Sequence, residues 1–139
     1  MAKLVLTNAY CSVNSVDISN HVQSVDLPDQ RAEVDVTSMG DTNMEIVLGL
    51  GDSTWTITVF NDYAAGNIDS QMWALHITNT PFVVEVRPVN AARSTSNPAY
   101  TMTALLPQYS PISGSVAAAV TTPLVFRNAS QSGVQRLTA

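Results

Sequence analysis

Few side chains in this sequence could carry out chemistry in combination: the lone thiol of Cys11, the imidazoles of His21 and His76, and a carboxylate such as Asp17. A cysteine acts as a nucleophile when a histidine takes its proton and a carboxylate orients that histidine. No local motif holds Cys11, a histidine and Asp17 that way, and Cys11 within Ala9-Tyr10-Cys11-Ser12-Val13 reads more simply as a small, half-buried strand residue. Oxygen ligands alternate at Asp41, Asn43 and Glu45 like the opening of a calcium loop, but Ile46 stands where an EF-hand needs glycine. Two histidines without close partners make no zinc site. Gly49-Leu50-Gly51 lacks the further glycine and the lysine of a phosphate loop. The expectation is a protein that is not an enzyme, with no catalytic residues, no metal and no cofactor.

Composition points to contacts rather than catalysis. A chain of 139 residues suits one domain over 1–139. Charged residues make up 12% of it, against about 25% in typical globular domains. Such a neutral surface suits a chain that partners cover on several sides. The net charge of −5 is uneven: residues 1–69 hold two bases against ten acids, residues 70–139 four bases against one acid. A bipolar chain of this kind can stack head to tail with its own copies. No basic cluster offers a phosphate-neutralising patch for nucleic acid. The single cysteine excludes an internal disulfide. Leu4-Val5-Leu6 is too short for the apolar core of a signal peptide, and no stretch is long enough to span a membrane. Synthesis and folding in a cytoplasm, with no membrane partner, are expected.

The clearest run of elements lies between Asp52 and Arg87. Thr54 to Val59 alternates, with Trp55, Ile57 and Val59 on one face and threonines on the other, which predicts a strand with one buried side. Asn67 can cap a short helix to about His76, placing Ile68, Met72 and Leu75 at i, i+4 and i+7 with Trp73 beside them. Phe82, Val84 and Val86 then form the apolar side of a second strand, opposite Val83, Glu85 and Arg87. The predicted core is Trp55, Ile57, Val59, Met72, Trp73, Leu75, Phe82, Val84 and Val86.

Around this unit the sequence predicts further short strands. They are Leu4 to Leu6, Ala9 to Val13, Ser15 to Ile18 after a turn at Asn14, Val22 to Leu27, and Ala32 to Val36 with Val34 and Val36 inward. Thr37, Ser38, Met39, Gly40, Asp41, Thr42, Asn43 and Met44 lack any period and read as a long exposed loop near 37–44. Its methionines either await a partner surface or tuck back on the sheet. Glu45 to Leu50 returns as a strand, and Gly49 with Gly51-Asp52 predicts a tight turn into the Trp55 strand. Tyr100 to Leu106, Val116 to Val120 and Leu124 to Phe126 complete the set, with Pro123 suited to an edge or bulge. A polar arm, 128–139, is expected to end the chain as a mobile segment. The fold class is mainly β: a β-sandwich or partly closed barrel with one short α-helix packed at its side.

The order of these features resembles the major tail tube proteins of long-tailed, siphovirus-like bacteriophages. The resemblance is carried by Asp35-Val36-Thr37-Ser38-Met39-Gly40-Asp41, the Trp55 strand, the helix through Trp73-Ala74-Leu75, Val86-Arg87-Pro88, the Ser96-Asn97-Pro98 turn, and Ser113-Gly114-Ser115-Val116 leading to Thr122-Pro123-Leu124-Val125-Phe126. It implies a virion structural protein, made in the host bacterial cytoplasm, that self-assembles into stacked rings, usually of six subunits, forming a tube. The implied partners are further copies of itself, the tape-measure protein and other tail proteins, with DNA as a passing, non-specific contact during ejection. It also implies that Thr37 to Met44 reach the neighbouring ring. Another small β virion protein, such as a tail terminator, head-tail connector or capsid decoration protein, is the nearest alternative. A ligand-binding β-sandwich is the rival of a different class, kept open by Tyr63, Tyr100 and Tyr109.

Overall fold

The computed structural model describes residues 3–139; Met1 and Ala2, at the start of the domain expected over 1–139, lie outside the described residues. The strands are β1 (Tyr10–Val13), β2 (Val16–Asp17), β3 (Val22–Asp26), β4 (Asp29–Asp35), β5 (Ile46–Phe60), β6 (Phe82–Arg87), β7 (Ala99–Tyr109), β8 (Thr121–Asn128) and β9 (Val134–Leu137), with one α-helix, α1 (Ile68–Ile77). They form one antiparallel nine-stranded sheet in the order β2-β1-β6-β7-β8-β5-β3, to which β4 adds on β5 and β9 on β7. The path is open, so the fold is a mainly β sandwich with a short helix at its side rather than a closed barrel. A 3-10 turn at Ser19–His21 ties β1 to the start of β3. There the Cys11 amide donates to the Ser19 hydroxyl at 2.9 Å and the Ile18 amide to the Cys11 carbonyl at 3.0 Å.

Alternation in the strands builds the core. Trp55, Ile57 and Val59 of β5 and Leu124 and Phe126 of β8 are fully buried. They meet Phe82, Val84 and Val86 of β6, Met102, Ala104 and Leu106 of β7, and Cys11 and Val13 of β1. Phe82 and Phe126 pack edge to face, with ring centroids 5.9 Å apart and planes at 81°, the geometry that the ring quadrupoles favour. Asn14 and Ser15 both have positive φ, 51° and 66°, so β1 and β2 join through a tight two-residue turn of the type that matches strand twist.

The helix buries Ile68 and Met72, with Leu75 partly covered, along the expected stripe. Trp73, expected in the core, is instead 49% exposed. One residue along a helix is a turn of about 100°, which carries Trp73 out of the stripe that Met72 occupies. The helix is tied to the sheet by the Tyr109 hydroxyl, which donates to Asp69 at 2.7 Å, and by the His76 ring, whose Nδ1 lies 2.9 Å from the Leu106 carbonyl.

Several other expectations are corrected. No turn interrupts Gly49 to Asp52; β5 runs through as one strand, and the irregularity is a bulge between Arg31 and Glu33 of β4. Glycine at 49 serves close approach of the strands, since a Cβ there would lie 3.3 Å from Val34 Cγ2. Val34 and Val36 point into no core, because β4 pairs only with the outer half of β5, where nothing packs beneath it. Leu4 to Leu6 form no strand, and residues 115–120 hold a turn, with Ala117 at φ 66°, before β8 begins. The polar C-terminal segment 128–139 does not hang free: Val134–Leu137 pair with Ala99–Met102 of β7. Pro123 lies in an interior strand, tolerated because β7 ends at Tyr109 opposite Leu124, one residue short of it.

Candidate assembly surface

The structure does not bring Cys11, a histidine and Asp17 together as a nucleophile, base and orienting carboxylate. Cys11 is buried, and burial together with the nearby Asp17 carboxylate pushes its thiol up to about 12, the opposite of what a nucleophile requires. Asp17 accepts hydrogen bonds from the amide and hydroxyl of Ser19. His21 lies 3.4 Å from Asp62, and His76 is engaged at Leu106, so no histidine is paired with the thiol. Asp41 caps the amide and hydroxyl of Ser38, at 2.8 and 3.0 Å. Among the described residues no group of three His, Cys, Asp or Glu side chains is placed to hold a metal. No described helix is long and apolar enough to cross a membrane.

What stands out instead is a ribbon. The outer half of β5 leaves β8 behind, since their last pair is Thr54 with Arg127, and continues paired with β4 alone. Eight residues from Ile46 to Ser53, at about 3.3 Å each, make a two-stranded arm roughly 25 Å long. Side chains directly opposite share a face. Val34 and Val47 lie on one side; Glu33 with Leu48 and Asp35 with Ile46 lie on the other. Both faces therefore carry exposed aliphatic groups, and Leu50 is 88% exposed. A two-stranded ribbon is marginally stable alone in water, and this one leaves aliphatic surface open on both faces.

The tip is ordered by local hydrogen bonds. The Val36 amide reaches the Glu45 carbonyl at 3.0 Å, the Glu45 amide donates to the Thr37 hydroxyl at 2.8 Å, and Asp35 accepts from the Thr37 amide at 2.9 Å. Hydrogen bonding from Thr37, its side chain first and then its amide, holds the Asp35 carboxyl below its usual range, and bonds from Ser38 do the same for Asp41. Gly40, at φ 96°, makes the reversal that a side chain would resist. Thr37 through Met44 are all exposed, and neither Met39 nor Met44 folds back onto the sheet.

Charge is concentrated on the same arm. Residues 29–53 carry Asp29, Glu33, Asp35, Asp41, Glu45 and Asp52 against Arg31, a net of −5, while the rest of the chain holds five acids and five bases. The whole net charge thus sits on the hairpin. At its base, Asp52 meets Arg127 of β8 at 2.9 Å.

A second charged site went unpredicted. Glu85 is almost buried on β6 and binds Arg87 at 2.9 Å and Arg93 at 3.0 Å. Burial alone would raise its carboxyl, but the two guanidinium groups outweigh that and hold it below the usual range. The signal was present in Glu85-x-Arg87, alternate residues on one strand face. Asn97 fixes the adjoining loop by donating to the carbonyls of Val89, Ala91 and Ala92.

No protein-family model and no curated protein matches the sequence. Solved structures do. A chain of the tail of an empty gene transfer agent particle, computed with C6 symmetry, superposes with TM-score 0.69 at 12% identity over 95% of each chain. A chain of the sheath-tube complex of an extracellular contractile injection system gives 0.70 at 13% identity over 99% of this chain and 93% of that one. The chain shares its fold with chains of these particles. A chain from the sheath/tube terminator of the same kind of injection system gives 0.72 at 11% identity, over 98% of this chain and 97% of that one. The likeness spans nearly the whole length of each chain.

Proposed function

We propose that this protein is a structural tail tube subunit whose copies close into rings of six that stack into a tube serving as a conduit for DNA during ejection. The observation that carries this reading is the β4–β5 hairpin, an arm with exposed aliphatic groups on both faces that neighbouring subunits would cover. Likeness in fold to a tail refined with C6 symmetry supports the ring number. In this reading Thr37 to Met44 form the contact between rings. The outward side of β5, with Thr54, Thr56 and Thr58, offers a neutral polar surface of the kind a water-filled lumen needs. The tape-measure protein and other tail proteins are the remaining partners, and DNA passes without specific contact.

Electron microscopy of the purified protein across a concentration series, with light scattering for mass, tests the proposal. Tubes of uniform width are expected from the natural chain, and a folded subunit without long polymers from a chain lacking Asp41 to Met44. A second reading, a tail terminator, is favoured by the likeness to the injection-system terminator structure. Rings that never stack at any concentration would select it, and a monomer throughout would overturn both.

A further inference from the structure

A pocket of about 390 Å³ opens at the base of the hairpin, walled by Leu27, Asp29, Trp55, Tyr100, Val134 and Arg136. It unites the β3–β4 junction, β5, β7 and β9, and most of its wall is apolar. Two of its members lack partners. The Trp55 indole nitrogen is the one buried side-chain donor or acceptor among the described residues with no hydrogen bond. Arg136 makes neither an ion pair nor a side-chain hydrogen bond among the described residues. By contrast Arg31 bonds the Gly49 carbonyl, Arg87 and Arg93 bond Glu85, and Arg127 bonds Asp52. Asp29, the pocket's own carboxylate, accepts from the Ser53 hydroxyl at 2.7 Å.

The hairpin tip has the complementary chemistry. Met39 and Met44 are exposed, adaptable apolar side chains, and Asp41 uses only Oδ2 to cap Ser38, leaving Oδ1 free among the described contacts. The tip of the same chain is at the far end of an arm roughly 25 Å long, so it cannot fill a pocket at the arm's own base. We propose that the pocket receives the hairpin tip of a second copy, with methionine in its apolar part and Asp41 paired to Arg136. Such a contact joins two different patches, so each copy offers a free tip and a free pocket and the chain of contacts has no built-in end. The inference rests on the tube-subunit reading and assigns the receptor that reading leaves open.

The test compares critical concentrations for assembly. Arg136→Gln and Asp41→Asn each raise it by about tenfold, the effect of losing one interfacial charge pair, and the double variant raises it no further than either alone. Arg136→Lys keeps most of the activity in assembly. Melting curves confirm that each variant is folded, as the exposed position of Arg136 leads one to expect. As a second readout, chains with Met39→Cys mixed with chains carrying Val134→Cys form disulfide-linked pairs within the assemblies when a mild oxidant is added to take up the two electrons. If the Arg136 and Asp41 effects simply add, or no cross-link forms while tubes still assemble, the pocket is not the receptor and the tube reading stands. If the natural chain forms no polymer under any condition, the tube reading falls and this inference with it.

Discussion

Val34 and Val47 face each other across the β4–β5 ribbon, yet they remain 46% and 50% exposed. A cross-strand valine pair normally closes over a core; here the sheet beneath has ended. Replacing both by threonine keeps the β-branched shape. We expect the stability of the isolated subunit to change by no more than about 0.5 kcal/mol, while assembly weakens. Thermal melting and sedimentation of the same samples check the two halves, and a large drop in melting temperature would place this pair in a core after all.

The two tryptophans are expected to behave differently. Trp55→Ala removes a fully buried ring and should cost about 3–5 kcal/mol. Trp73→Ala, at a half-exposed position, should cost under about 1 kcal/mol. Chemical denaturation with constant slope separates them. Equal losses would mean that Trp73 supports the fold through a contact other than burial.

Acid should weaken the subunit through Glu85. Its carboxyl is held below the usual range by Arg87 and Arg93 in the folded chain, so the unfolded chain takes up the proton first as pH falls. Its stabilisation is therefore complete above about pH 4.3, the ordinary glutamate value, and is lost on titration through the lower folded value. Glu85→Gln should cost about 2 kcal/mol at neutral pH and flatten the stability profile in that acid window. An unchanged profile would assign the acid sensitivity to other carboxylates.

Cys11 should resist thiol reagents at pH 8 until the chain unfolds. The group is buried and its thiol is pushed up to about 12, and only the thiolate reacts. Rapid labelling of the folded protein would show that the junction of β1 with the Ser19–His21 turn opens readily.

Much of this architecture was legible along the chain because period-2 alternation is a local property. Trp55, Ile57 and Val59, and Phe82, Val84 and Val86, occupy the core side that their spacing predicts, and Asn14 turns the chain where a left-handed residue is tolerated. The exposed span Thr37–Met44 was readable for the same reason, as an aperiodic polar stretch. Tertiary structure decided the rest. Gly49 and Gly51 have the composition of a turn, yet pairing with β4 keeps β5 continuous through them. Val34 and Val36 have the pattern of buried residues, and only the end of β8 at Arg127 and Asn128 leaves them without anything to pack on. Val134–Leu137 look like a polar tail until β7, whose bulge between Leu105 and Gln108 bends it, presents an edge for them to pair with. Alternation tells which side chains share a face, but whether that face meets a core, a solvent or another chain depends on strands distant in sequence.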